Sequence, residues 1–275
     1  MNIAFCTCVK LGLSCIEAVH DYGGEFDLLI TLKDDLSKKK SGRIFLDEVA
    51  EKNGTPLLKI DHINDDEVLK NLKKYNIDWL FIIGWSQIAS KKVINTCNAG
   101  AIGAHPTLLP KGRGRAAIPW AIIKGLNKTG LTFFKMDKGV DTGNILDQIE
   151  IPILENETAS TLYEKVNIAH INLIRQIWPH ILNNTLLEKK QDESKASYWD
   201  GRKPKDGEID PKNMTVEEID RLVRATTKPY PGAFLIQNDK KIIIWKGEKN
   251  SKNKGIKIQC KDGIFIGTET EVLTL

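Results

Sequence analysis

The sequence predicts an α/β protein, in which an open, doubly wound, mostly parallel sheet is followed by a small, β-rich, OB-like subdomain. Two observations predict this fold. Short apolar segments alternate with amphipathic ones through the first half of the chain, which is the pattern of repeated β–α–β units. The last quarter instead carries short apolar segments separated by turn residues, which is typical of antiparallel hairpins.

The first half supplies the strands and helices of the predicted sheet. Strands are expected at residues 3–7, 26–31, 57–60, 79–83, 101–104 and 131–136. The fourth of them, Trp-Leu-Phe-Ile-Ile, is apolar throughout, as expected for a strand that is buried on both faces. Helices are expected where apolar side chains recur at three- and four-residue spacing, at residues 13–22, 44–52 and 65–75.

The second half begins with a long predicted helix, from Ser160 to about residue 183, with Thr158 or Ser160 as its cap. A short helix is expected near residues 216–225. The closing strands are predicted at residues 234–236, 242–245, 256–259, 264–266 and 271–273. We therefore expect a large domain, a linker and a small C-terminal β domain, at residues 1–190, 191–205 and 206–275.

The composition of the chain argues against nucleic acid and metal as partners and against a location in the membrane. A formal net charge of +4 and a pI near 8.6 are too modest for a protein that binds nucleic acid mainly through phosphates, and the basic run at residues 38–40 is expected to be a solvated loop. The five cysteines lack metal-site spacing, which favours reduced thiols and no metal. No leader or membrane-spanning run is evident, since a span needs about 20 apolar residues. A cytoplasmic protein is the expectation.

Two phosphate-binding signatures are missing from the sequence. The first β–α turn lacks G-x-G-x-x-G, and G-x-x-x-x-G-K-[ST] does not occur. These absences argue against a dinucleotide oxidoreductase and a P-loop enzyme. Ligands are still expected beyond the carboxyl ends of the strands. The segments that follow strands there are residues 84–89, 105–115 and 137–143.

These strand ends carry specific motifs. Residues 84–88 read GWSQI, residues 101–120 read AIGAHPTLLPKGRGRAAIPW, and residues 134–146 read FKMDKGVDTGNIL. With H-P-T-L-L-P followed by G-V-D-T-G, the chain resembles the formyltetrahydrofolate-dependent transferases, which include methionyl-tRNA, glycinamide ribonucleotide and sugar N-formyltransferases. The resemblance implies a Rossmann-like catalytic domain over residues 1–190. It extends into residues 198–205 and 224–234, which look like the C-terminal half of the sugar and tRNA enzymes.

The resemblance implies that His105 and Asp141 are catalytic. In these enzymes an amine attacks the formyl carbon of N10-formyltetrahydrofolate, and a tetrahedral oxyanion forms. One group must stabilise that oxygen and another must take the proton that the amine loses. A histidine at a strand end, oriented by a carboxylate, suits one of these roles.

Gly103 departs from the family pattern, because relatives usually carry an asparagine two positions before the histidine. The asparagine amide would donate to the oxyanion, and loss of one such donor costs about 2.7–4 kcal/mol. Because side chains alternate along a strand, residues 103 and 105 should face the same side. We expect the space beside Gly103 to hold a water or part of the acceptor, and His105 to donate to the oxyanion instead.

Binding residues follow from the same motifs. The resemblance implies that N10-formyltetrahydrofolate is bound largely through the backbone of two loops, formed by Gly84, Trp85, Ser86, Gln87, Ile88, Asp137, Lys138, Gly139 and Val140. Trp85 either packs on the pterin or covers the sheet edge. Arginine suits bidentate phosphate contacts and glycine allows a close backbone approach. Contacts to the acceptor are expected from Lys111, Arg113, Gly114, Arg115 and Tyr230.

Three functions are compatible with these motifs. The first is formyl transfer to the amino group of a dTDP- or UDP-linked aminodeoxysugar, for bacterial surface polysaccharide biosynthesis, by a homodimer. The short C-terminal region and the modest charge favour it. The second is methionyl-tRNA formylation, against which the acidic residues 208–218 argue. The third, motivated by Gly103, is a degenerate folate-binding module or a formyltetrahydrofolate hydrolase.

Overall fold

The computed structural model describes residues 1–39 and 42–274, and for residues 37–39 it describes the backbone alone. The basic run at residues 38–40 therefore lies outside the described side chains. The chain divides into two compact units. The large unit comprises Met1–Arg113, Gly130–Ile151 and Val166–Tyr198; the small unit comprises Gly114–Thr129, Pro152–Lys165 and Trp199–Leu275.

One mixed sheet forms the centre of the large unit. The first eight strands of the chain are β1 (Ile3–Cys6), β2 (Leu28–Leu32), β3 (Leu57–Ile60), β4 (Trp79–Ile82), β5 (Gly100–His105), β6 (Arg113–Gly114), β7 (Lys128–Lys135) and β8 (Ile145–Pro152). All except β6 belong to this sheet, in the order β3-β2-β1-β4-β5-β7-β8. The four pairings among β1 to β5 are parallel, and β5 pairs with β7 in the antiparallel sense. The predicted mostly parallel sheet is confirmed.

The helices lie largely where the apolar spacing predicts them. They are α1 (Lys10–Asp21), α2 (Asp47–Asn53), α3 (Asp66–Lys74), α4 (Lys91–Ile94), α5 (Ala117–Ile123), α6 (Ala159–Leu182) and α7 (Val216–Thr226). The Thr161 backbone N–H donates to Thr158 Oγ1 at 3.2 Å, so Thr158 caps α6. Within the described part of the chain, none of the helices has the length and apolar character to span a bilayer.

Several strands differ from the sequence prediction. Residues 145–152 form β8, which the prediction lacks, as it lacks the short strands Arg113–Gly114 and Tyr198–Trp199. The two strands expected at residues 264–266 and 271–273 are one continuous strand, Ile264–Thr274. Glu269 and Thr270, which lie between the two predicted strands, are exposed and pair with β11 as part of this long strand.

Burial of β4 sets the position of the functional loops. All four residues of β4 are buried, and β4 pairs with β5 from Trp79 opposite Gly100 to Ile82 opposite Gly103. Since the two strands are parallel, the segments that follow Ile82 and His105 leave the sheet at the same edge. Ligand-binding loops are expected at that edge.

The small unit contains the predicted β-rich subdomain. After the short strand β9 (Tyr198–Trp199), strands β10 (Ala233–Gln237), β11 (Lys240–Lys249), β12 (Ile256–Gln259) and β13 (Ile264–Thr274) form an antiparallel sheet in the order β10-β11-β13-β12. Helix α7 packs on this sheet through Ile219 and Val223, which share an apolar core with Ile244 and Phe265. A capping box between Thr215 and Glu218 begins the helix.

Candidate active site

His105 is the last residue of β5, and its imidazole is buried. Its Nε2 atom lies 2.7 Å from the carbonyl oxygen of Gly112, in the loop that follows the strand. A carbonyl oxygen only accepts hydrogen bonds, so Nε2 carries a proton and donates it to Gly112. The other ring nitrogen, Nδ1, is therefore the one available for acid–base chemistry.

Asp141 faces that second nitrogen. Its Oδ2 atom lies 3.4 Å from His105 Nδ1, and both side chains are largely buried. The Asp141 backbone is left-handed, with φ +56°, a conformation that aspartate tolerates better than most residues. The sequence motifs thus predicted a pair of residues that the fold brings together from β5 and the loop after β7.

The loop that carries Asp141 is held by its own side chains. Asp137 Oδ1 accepts hydrogen bonds from the Gly139 N–H at 2.9 Å and from Thr142 Oγ1 at 2.6 Å. A Cβ at Gly143 would lie 1.7 Å from the Lys135 carbonyl oxygen, so only glycine fits there. The loop therefore has a defined shape, and it aims the Asp141 carboxylate at the ring.

The hydrogen-bond pattern determines what the pair can do. With Nε2 donating to Gly112, a neutral ring would point the lone pair of Nδ1 at the Asp141 carboxylate, which also only accepts. A proton on Nδ1 removes this repulsion. The Asp141 carboxylate therefore stabilises a ring that takes up a proton at Nδ1, which suits His105 to act as a general base. Both ring nitrogens already have partners, so donation from His105 to an oxyanion requires one of these contacts to change.

The space expected beside Gly103 is filled, so that prediction is wrong. A Cβ at position 103 would lie 2.8 Å from Phe134 Cζ and 3.2 Å from Met136 Cγ. Phe134 lies opposite Gly103 in the β5–β7 pairing and packs with Leu109 and Ile145 in a small buried cluster. The Phe134 ring, rather than water or acceptor, occupies the position where relatives carry an amide.

We expect Gly103→Asn to destabilise the protein by about 1–3 kcal/mol, because the new side chain overlaps the Phe134 ring. Turnover should fall as the strand shifts. The double variant Gly103→Asn/Phe134→Ala should be less destabilised than the sum of the single variants, since each change provides room for the other. Urea unfolding of the four proteins measures this coupling. Additive effects of the two substitutions would show that the side chains do not compete for space.

The first predicted folate loop, residues 84–88, follows β4. Gln87 holds it, because its Oε1 accepts from the Ile63 N–H at 2.9 Å and from Trp85 Nε1 at 3.2 Å. Trp85 also packs against the apolar core, which agrees with the alternative that it covers the sheet edge. Gln87 therefore shapes the loop through its side chain.

Both predicted folate loops carry an exposed apolar side chain that a pterin ring could cover. Ile88 is 79% exposed and Val140 is 52% exposed, although each belongs to a loop with a defined conformation. Ser86, Lys138 and Gly139 are exposed as well. A flat, aromatic ligand can pack against such exposed apolar side chains while the backbone groups of the same loops form hydrogen bonds with its edge. The residues present are compatible with folate.

Arg113 does not fit the predicted phosphate contact. Its side chain is fully buried and makes five hydrogen bonds inside the large unit. The guanidinium donates to Gln191 Oε1, to both Glu193 carboxylate oxygens and to the Tyr198 hydroxyl. The hydrogen bonds to Glu193 raise the pKa of Arg113 further above its usual value. All five N–H donors are used, so Arg113 is a structural residue.

The other predicted acceptor contacts differ in their surroundings. Lys111 and Arg115 are exposed, so their side chains can reach a ligand. Gly114 has φ +109°, and a Cβ there would lie 2.4 Å from the Trp199 carbonyl oxygen, so it permits close packing of two backbone segments.

Tyr230 lines a cleft of the small unit with Arg202 and Lys203. Burial raises the pKa of Tyr230 to about 12, so its phenol stays protonated near neutral pH.

Sequence reasoning missed several residues that support this site. Gln191 contacts the backbone of Asp141, and Ser197 contacts the backbone of Gly112, the hydrogen-bond partner of His105. Both residues lie in the predicted linker. Phe134 was visible only as part of an apolar strand. No local motif marked any of the three, because their partners are distant along the chain.

Comparison with known proteins supplies an independent view. A family model described as formyl transferase matches residues 14–177, and another, described as formyl transferase, C-terminal domain, matches residues 202–275. The bifunctional polymyxin resistance protein ArnA of Wigglesworthia glossinidia brevipalpis is 36% identical over 241 residues, which is 86% of this chain. The chain spans about a third of that relative, 36% of its length.

Solved structures that share the fold include those of two formyltransferases. The N-formyltransferase from Helicobacter canadensis, in complex with folinic acid and dTDP-3-aminofucose, superimposes with a TM-score of 0.73 at 22% identity, covering 98% of this chain and 100% of that one. Methionyl-tRNA formyltransferase from Clostridium thermocellum gives a TM-score of 0.68 at 20% identity, and the coverage is 100% of both chains. At these identities the likeness shows the fold alone.

Proposed function

Because this chain belongs to the formyl transferase family, we propose that it transfers the formyl group of N10-formyltetrahydrofolate to the amino group of a dTDP- or UDP-linked aminodeoxysugar. The observation that carries the proposal is the buried His105–Asp141 pair at the end of β5. The exposed Ile88 and Val140 in the two adjoining loops support the folate part of it.

Each residue has a role in this proposal. The loops at residues 84–88 and 137–140 would hold the folate, which supplies an activated formyl carbon when bound. The acceptor nitrogen gains a bond to that carbon, N10 loses one, and a proton passes from the amine toward N10. His105 would take that proton at Nδ1, with Asp141 stabilising the charged ring. Gly112 fixes the ring by accepting from Nε2.

Several features support a nucleotide sugar as the acceptor. The relative from Helicobacter canadensis was crystallised with dTDP-3-aminofucose, and it matches nearly the whole of this chain in fold. Lys111 and Arg115 are exposed cations that a diphosphate can use. We further propose that the protein acts in the cytoplasm as a homodimer, in the biosynthesis of bacterial surface polysaccharide.

We also propose that the chain is divided into a catalytic domain at residues 1–190 and a small C-terminal domain at residues 206–275.

Methionyl-tRNA is the second candidate acceptor, since the Clostridium thermocellum enzyme shares the fold over the full chain. Hydrolysis of formyltetrahydrofolate is the third, because Phe134 displaces the usual oxyanion donor. A panel of dTDP- and UDP-linked aminosugars, methionyl-tRNA and buffer alone, each incubated with formyl-folate, separates the three. We expect a sugar product whose mass has increased by one carbonyl group. A formylated tRNA, or formate released without an acceptor, would exclude the proposal.

Arg115→Ala should raise the KM for the nucleotide sugar by about tenfold and leave kcat nearly unchanged, because a phosphate contact made equally in ground and transition states contributes only to binding. Steady-state kinetics with varied acceptor and saturating folate measure this. Lys195→Ala, an exposed cation whose partner is Asp192, is the matched control. An unchanged acceptor KM in Arg115→Ala would remove this residue from the phosphate site.

A further inference from the structure

Residues 188–198, called the strap below, follow α6 and are fastened to the sheet of the large unit. Lys189 exchanges two backbone hydrogen bonds of 2.8 Å with Ile145. The Glu188 carboxylate accepts from Lys135 Nζ at 2.7 Å and from Asn144 Nδ2 at 2.9 Å. The strap thus has a fixed path beside the strand and the loop that follow β7, although the sequence predicted a linker from residue 191.

Gln191 of the strap reaches the loop that carries Asp141. Its side chain is buried, and Nε2 donates to the carbonyl oxygens of Asp141 at 2.8 Å and Gly143 at 2.7 Å. One of these carbonyls belongs to Asp141, whose backbone is left-handed, and the other lies two residues further along the chain. Two hydrogen bonds from one amide therefore fix the backbone from which the catalytic carboxylate projects.

Arg113 fixes the orientation of the Gln191 amide. Its Nε and Nη2 atoms both donate to Gln191 Oε1, at 3.1 and 2.8 Å. A guanidinium only donates and a carbonyl only accepts, so the amide has a single orientation that satisfies both sides. Arg113 is in turn held by the Glu193 carboxylate, also on the strap. The buried arginine thus directs the two amide N–H groups at the Asp141 loop.

The strap also reaches the partner of His105. The Gly112 N–H donates to Ser197 Oγ at 2.9 Å, and the Arg113 N–H donates to the Ser197 carbonyl oxygen at 2.9 Å. Gly112 is the residue whose carbonyl oxygen accepts the proton of His105 Nε2. Both members of the catalytic pair are therefore supported from the same segment of chain.

We propose that Gln191 is a positioning residue for the reaction, which holds the Asp141 carboxylate at His105 Nδ1, and that Gln191 and Ser197 of the strap together set the geometry of the pair. This inference rests on the proposed function for its kinetic consequence. Its structural part, control of the Asp141 loop by the Gln191 amide, stands on the hydrogen bonds alone.

Gln191→Glu is the sharpest test, because it keeps the shape of the side chain and its contact with Arg113. It replaces the two N–H donations by a carboxylate oxygen that faces two carbonyl oxygens. We expect kcat to fall by about 10- to 100-fold, since misplacement of a catalytic group by about 1 Å has that effect. Lys195→Ala, an exposed change on the same strap, should leave kcat and the melting temperature unchanged. Gln191→Met, which keeps the length without either polar group, replaces Gln191→Glu if that variant does not fold.

A double-variant comparison separates positioning from general damage. If Gln191 acts through Asp141, Gln191→Glu should cause little further loss of kcat in an Asp141→Asn background. A merely structural role would lower the activity of both backgrounds by the same factor, and that result would overturn the proposal.

Hydrogen exchange at residues 137–144 gives a readout that does not need turnover. We expect faster exchange there in Gln191→Glu than in the wild type or Lys195→Ala. Unchanged exchange in this loop would contradict the inference even if activity falls. If the wild type forms no product with any acceptor while the loop still loosens in Gln191→Glu, the proposed function fails and the structural inference stands.

Discussion

His105→Ala should lower kcat for formyl transfer by at least about 100-fold while the protein stays folded, because it removes the ring nitrogen that faces the Asp141 carboxylate. Asp141→Asn should produce a comparable loss, since it removes the charge that stabilises a proton on Nδ1. Single-turnover rates with saturating folate and acceptor isolate the chemical step. Melting curves and folate binding should stay close to those of the wild type.

The matched control for this experiment is His180→Ala. His180 is an exposed histidine near the end of α6, and its Nδ1 lies 3.1 Å from Thr185 Oγ1. Its removal should change neither rate nor stability. A His105→Ala enzyme that retained most of its turnover would show that proton transfer takes place elsewhere, and the assignment of the site would then be wrong.

Arg113→Ala should destabilise the protein by about 3 kcal/mol, because it leaves a cavity and an unpaired amide oxygen on the buried Gln191. Glu193 is mostly exposed and can be solvated, so its lost ion pair contributes little. Arg113→Lys should recover only part of the loss, since an ammonium cannot make the five directed hydrogen bonds of a guanidinium. Urea unfolding measures these differences.

Arg115→Ala is the internal control, two residues along the same loop. An exposed arginine should change the free energy of unfolding by no more than about 0.5 kcal/mol. We therefore expect Arg113→Ala to lower the free energy of unfolding and Arg115→Ala to raise the acceptor KM. If Arg113→Ala were as stable as the wild type and only the acceptor KM rose, the phosphate role first inferred from the sequence would be correct after all.

Much of the fold could be predicted because its signals are local. The continuous apolar run of β4 and the helical spacing of α3 need no knowledge of their neighbours. Strand β8 lacked such a signal, since four of its eight residues are half-buried, two are exposed, and buried and exposed positions do not alternate. The length of β13 was also underestimated, because its polar half has no local feature that distinguishes a strand from a turn.

The pairing of His105 with Asp141 could be predicted for a different reason. His105 and Asp141 each lie in a short, specific motif, and the resemblance to a family connected two segments that the sequence alone leaves unrelated. The surroundings could not be predicted in this way. Whether Gly103 borders a space depends on the register between β5 and β7, which places Phe134 opposite it. Register is a long-range property that neither motif contains.

The role of Arg113 could not be predicted either, because it also depends on contacts that are distant along the chain. A glycine-flanked arginine in a loop resembles a phosphate ligand, and arginines are rarely buried without a partner. Its partners, Gln191 and Glu193, lie about 80 residues further along the chain, in a stretch whose polar composition suggested a linker. The two neighbouring arginines therefore looked equivalent in sequence, whereas the fold gives them different roles.

The most direct test of the central claim is to follow a ¹³C-labelled formyl group by NMR, from N10-formyltetrahydrofolate in the presence of dTDP- and UDP-linked aminosugars. We predict that the label appears as a sugar formamide with the wild-type protein, and that it stays on the folate with His105→Ala over the same time. Label that accumulates as free formate, or that moves to a sugar equally fast with His105→Ala, would contradict the account.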